Sequence, residues 1–79
     1  MLICVVDMIK NAKEAVNLCA HYGYDKDANN FRDLVKLLNK MAFDINTATS
    51  TKILDDIENK LEYEYEQFTP RYNEILDEI

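Results

Sequence analysis

The sequence predicts an all-α fold: an antiparallel three-helix bundle with a long C-terminal helix. Apolar residues recur at three-and-four spacing along three successive segments, as expected of helices that each bury one face. A single glycine and a single proline among 79 residues leave too few turn-formers for the reversals of a barrel or sandwich. So short a chain supports one domain, residues 1–79, and at 48% hydrophobic it is too apolar to stay disordered.

In the first segment, residues 2–22, Val5, Met8, Ala12, Ala15, Cys19 and Tyr22 step by three and four, with Leu2, Ile9 and Val16 alongside. Gly23 stands where a C-terminal cap belongs. The β-branched opening, residues 2–6, also reads as a buried strand, but no second strand follows to pair with it. The second segment carries Phe31, Leu34, Val35, Leu38, Met41, Ala42 and Ile45 at helical spacing, with Asp25 and Asp27 offering oxygens to cap its start. It should fade near Asn46. Residues 46–51 read as a loop, with Thr49 or Ser50 capping the third segment.

That third segment aligns Leu54, Ile57, Leu61, Tyr65, Phe68, Tyr72, Ile75 and Ile79 in a near-heptad seam. Pro70 removes one backbone hydrogen bond and crowds the preceding turn, so a kink or brief break is expected there. The seam keeps its phase across it, which favours continuation over reversal. Because this segment is the longest, part of its seam is expected to overhang a monomer and to be buried by a second copy, giving a homodimer.

Little in the chain marks chemistry. Asp25, Asp27 and Asn29 match the first three ligand positions of a calcium loop. Asn30, however, replaces the required glycine, and Lys36 the bidentate glutamate. His21 and Cys19 would need two further ligands to hold zinc, and Cys4 is about 22 Å away along the same helix. That distance also forbids an intrachain disulfide, which needs Cα atoms about 4.4 to 6.8 Å apart. Spacing alone leaves open a nucleophile activated by His21, but no serine or cysteine is marked as its partner. One glycine cannot build a phosphate-cradling loop. The expectation is a protein that is not an enzyme and has no metal and no cofactor. Reduced thiols, and an opening run without the basic leader of a signal peptide, point to the cytoplasm.

Charge is more informative. Residues 1–49 balance six acids against six bases, whereas residues 50–79 hold nine acids and three bases, so the net −6 resides in the last segment. Asp55, Glu58, Glu62 and Glu66 fall in one row beside the seam. Such a row repels nucleic acid and anionic membrane, and it attracts a basic surface. It could also be no more than a solvated face, or it could pair with Arg32, Lys36 and Lys40 on the preceding helix, where exposed pairs contribute about 0.2 to 1 kcal/mol each. Tyr63, on a flank near Asp56 and Gln67, adds an aromatic suited to arginine or lysine. The functional expectation is a small acidic binding module that occludes a basic surface of another protein, through Asp55, Glu58, Glu62, Tyr63 and Glu66. Size and charge place it beside inhibitors, immunity proteins and antitoxins. The alternative is a homo-oligomerising scaffold without a separate partner.

Overall fold

A computed structural model describes residues 5–79. Helices α1 (Val5–His21), α2 (Asp25–Thr47) and α3 (Thr51–Glu78) account for nearly all of them. No strand occurs among the described residues, and Val5 and Val6 are helical, so the strand alternative for the opening does not apply to them. The rest of that run, with Cys4, lies outside the described residues.

The helices run up, down and up. Asn11 of α1 meets Tyr65 of α3, while Asp27 near the start of α2 meets Arg71 near the end of α3. Adjacent helices are therefore antiparallel, and α1 and α3 point the same way. At 1.5 Å per residue the 28 residues of α3 span about 42 Å. This matches the long dimension of the 43 × 18 × 17 Å molecule.

Gly23 ends α1 with φ +83°, a conformation that costs other residues but not glycine. The Tyr24 amide then donates to the Cys19 carbonyl at 2.8 Å, closing the wide loop of a Schellman motif. No atom crowds the space a Cβ would occupy at Gly23, so dihedral angle alone constrains the position. Tyr24 precedes α2 and contributes no side-chain cap. Asp25 is already helical and Asp27 is paired elsewhere, so the expected capping by these aspartates is not made.

The second connection is shorter than the spacing predicts. Asn46 and Thr47 still belong to α2, and the Thr47 hydroxyl turns back to the carbonyls of Phe43 (3.1 Å) and Asp44 (3.3 Å). Only residues 48–50 form the loop. Ser50 caps α3 by accepting from the Ile53 amide at 3.3 Å, the arrangement expected of a serine with extended backbone.

Helix α3 continues through Pro70. Thr69 and Pro70 are exposed, so the carbonyl deprived of its usual donor can be hydrated. Buried residues on both sides of the proline hold the helix in place. Leu61, Phe68 and Ile75 are at most 5% exposed and recur every seven residues.

Two packed clusters form the core. One joins Ala15, Val16 and Cys19 to Ala28, Phe31, Phe68 and Ile75; the other joins Met8 and Ala12 to Leu38, Met41 and Leu61. Small residues on α1 let it lie close along α2. Rings bridge the wider gap to α3: Phe31 meets Phe68 edge-on at 4.9 Å, and Phe68 stacks on Tyr72 at 5.3 Å. Tyr22, expected on the apolar stripe, falls just beyond α1 and is exposed. The expected overhang of the third seam is also largely absent. Leu54, Ile57, Tyr65 and Tyr72 are half-buried within the single chain, leaving Ile79 as its one exposed member.

A core this small typically supports about 3 to 5 kcal/mol of net stability. Leu38, fully buried, should lose about 2 to 5 kcal/mol on truncation to alanine. Phe43, 67% exposed, should change by no more than about 0.5 kcal/mol. Urea unfolding followed by circular dichroism is expected to show L38A losing most of its transition while F43A keeps the wild-type midpoint. Equal losses would contradict the assigned core.

Candidate functional site

The rotation of α3 about its axis, set by Leu61, Phe68 and Ile75, decides where its charges go. Toward α2 it presents Glu64 and Arg71, which line a shallow groove of about 250 Å³ with Asp27 and Phe31. Toward α1 it presents Tyr65, whose hydroxyl accepts from Asn11 Nδ2 at 3.1 Å. Beyond Tyr65, on the flank away from α2, helical geometry places Asp55, Glu58, Glu62 and Glu66.

Asp55 and Glu66 are exposed, and Glu58 and Glu62 are half-covered. None of the four takes part in an ion pair among the described residues. Tyr63 is 61% exposed and lies about 60° around the helix from Glu66. The structure thus brings the carboxylates into one row and leaves Tyr63 on the adjoining outer surface. From α1, Glu14 faces the same side: burial first, and then its carboxylate, push the Tyr72 hydroxyl above its ordinary pKa.

Pairing of this row with Arg32, Lys36 and Lys40 does not occur. Arg32 donates to Asn29 Oδ1 at 2.8 Å, and Lys40 stands 3.9 Å from Asp44, both within α2. Arg32 and Lys36 border the groove shared with α1, whereas the acidic row lies on the flank of α3 turned away from α2. Helix α1 lies between Arg32 and Lys36 on one side and the acidic row on the other, and so keeps them apart.

The spacing gave no sign of the polar cluster that ties the end of α3 to the start of α2. Arg71 grips Asp27 with both arms of its fork, Nε to Oδ1 at 3.0 Å and a terminal nitrogen to Oδ2 at 2.8 Å, and also donates to Glu74 at 3.1 Å. Beside it, Tyr24 donates to Glu78 at 2.6 Å. The hydrogen bonds from Arg71 hold the Asp27 carboxyl below the usual carboxylate range. By accepting the hydrogen bond of the Tyr24 hydroxyl, Glu78 raises the pKa of that phenol. These contacts position α3.

The remaining candidates for chemistry are not assembled. Asp25, Asp27 and Asn29 lie in helix rather than in a loop, and Asp27 is engaged by Arg71, which removes the calcium-loop reading. No three His, Cys, Asp or Glu residues are grouped to hold a metal among the described residues. His21 is exposed, with its ring against the edge of Tyr22 at 4.9 Å. Cys19 is fully buried, and burial pushes its thiol pKa up, away from the reactive thiolate. No helix among the described residues is long and apolar enough to cross a membrane. Comparison with protein-family models, with curated proteins and with solved structures finds no match.

Because its folded pKa is lowered, Asp27 contributes stability that is present above its ordinary value near 3.8 and is lost as pH falls through the folded value. D27N should therefore lower the urea midpoint at pH 6, and the gap from wild type should close as both proteins are taken from pH 4 toward pH 2. A gap of constant size across that range would contradict the assigned pair.

Proposed function

We propose that this chain is a binding module whose acidic α3 edge occludes a basic surface on another protein, in the manner of an inhibitor, immunity protein or antitoxin. It would act in the reducing cytoplasm, where Cys19 stays a thiol. One observation carries the reading: Asp55, Glu58, Glu62 and Glu66 form a row that has no ion-pair partner among the described residues, next to an exposed tyrosine, on a helix whose apolar seam is already used in its own core. Unpaired carboxylates on a rigid helix lose little conformational freedom on meeting a cationic partner. Their field also speeds encounter. Tyr63 supplies the area and quadrupole that hold a guanidinium or ammonium group. A docked row of this kind excludes a polyanion from the surface it covers.

A fluorescent polyarginine peptide tests this directly. The chain should bind it at low salt and weaken at least tenfold by 0.5 M sodium chloride, as exposed charge pairs do when the Debye length falls toward about 4 Å. E58K/E62K/E66K should abolish binding, Y63A should weaken it several-fold, and heparin held by the peptide should be released by the wild-type chain. Binding that survives the triple reversal would dismiss the proposed face.

A further inference from the structure

The other flank of α1 carries the opposite sign. Between α1 and α2 runs a groove of about 310 Å³ with Val16 and Val35 at its floor, Lys13 and Asn17 on one rim, and Arg32 and Lys36 on the other. The three cations are exposed, and none joins an ion pair among the described residues. A concentrated positive strip over a partly apolar floor therefore sits within a chain of net −6.

Within one molecule the strip and the acidic edge cannot meet, since they lie on either side of α1. Between two molecules they can. We propose that the α1–α2 groove receives the acidic α3 edge of a second copy of this chain, so that self-association runs through charge and not through the apolar seam. The proposal rests on the reading of that edge as a docking face. Arg32 and Lys36 are one helical turn apart, as are Glu58 and Glu62, or Glu62 and Glu66. Lys13 approaches from the opposite rim to bracket a helix laid between them. A flexible polyanion is a poorer occupant, because it must be ordered as it binds, whereas the α3 row is already held on a rigid helix.

The repulsion between two chains of net −6 does not prevent this pairing. At 0.15 M salt the Debye length is about 8 Å. The bundle is 17 to 18 Å across, so charges on its far side are screened. The sign of the facing surfaces then decides the encounter.

Sedimentation of the full chain over a concentration series tests the proposal at 0.15 M and 0.5 M sodium chloride. The wild-type chain should exceed its 9.3 kDa monomer mass at the lower salt and associate at least tenfold more weakly at the higher. K13E/R32E/K36E and E58K/E62K/E66K should each remain monomeric, with helicity checked by circular dichroism. Their equimolar mixture should associate again, because each then supplies the sign the other needs. A wild-type chain that stays monomeric, association indifferent to salt, or a mixture that stays apart would overturn the proposal. So would a groove that holds a phosphate oligonucleotide while copies remain separate. A chain that pairs but ignores polyarginine would remove the partner reading alone; one that captures polyarginine through α3 and never pairs would remove this inference alone.

Discussion

Leu61, Phe68 and Ile75 fix the angle at which α3 lies on the other two helices, and the remaining surface follows from that angle. Each is almost fully buried, and the seven-residue interval keeps them on one line. Turning α3 by one position, about 100°, would carry Glu62 and Thr69 into the places of Leu61 and Phe68. Burying an unpaired carboxylate costs several kcal/mol, which is comparable with the whole stability of a domain this size. The phase is therefore strongly selected. With it come Tyr65 toward α1, Arg71 toward α2 and a carboxylate row left outside.

The helices and the core were legible because burial on a helix depends on local spacing, which a sequence displays. Met8, Ala12, Ala15, Phe31, Leu38 and Phe68 stand inside as their intervals require. What depended on register between helices was not legible. Asp27 and Arg71 are 44 positions apart, and nothing in either neighbourhood marks them as partners, so Asp27 read as a cap for its own helix. The flank on which a charged row lies is likewise a property of the assembled bundle. The acidic row and the row of Arg32, Lys36 and Lys40 looked complementary while only their spacing was known. At the second connection, Asn46 and Thr47 read as loop by composition. Instead the Thr47 hydroxyl bonds back to two carbonyls of the last turn and allows the helix to continue.

The net charge describes this molecule poorly. Of the three cations on α3, Arg71 is committed to Asp27 and Glu74, which leaves Lys52 and Lys60 as the only others on a helix carrying nine carboxylates. The cations of α1 and α2 that could offset the row face another side of the bundle. A balanced pair of helices and a strongly acidic third thus produce two surfaces of opposite sign, separated by α1. This arrangement requires no unusual pKa values or strained backbone. It arises from placing charges in rows beside an apolar stripe and then fixing how the stripes meet.

The two proposed uses of the acidic edge exclude one another, and that exclusion has a direction. An edge seated in the groove of a second copy is unavailable to a foreign basic surface, so the apparent affinity for a partner falls by the fraction of edges still free. Dilution frees edges and concentration sequesters them, whereas a partner that binds more tightly than the groove draws the copies apart by mass action. Salt weakens both contacts through the same screening and so cannot by itself choose between them. The choice rests with what each adds beyond charge. The groove offers the apolar floor of Val16 and Val35, and a partner rich in arginine can also engage Tyr63, about 60° beyond Glu66 at the outer margin of the row. On this reading Tyr63 separates the two states: incidental when copies pair, and an anchor when a partner is held.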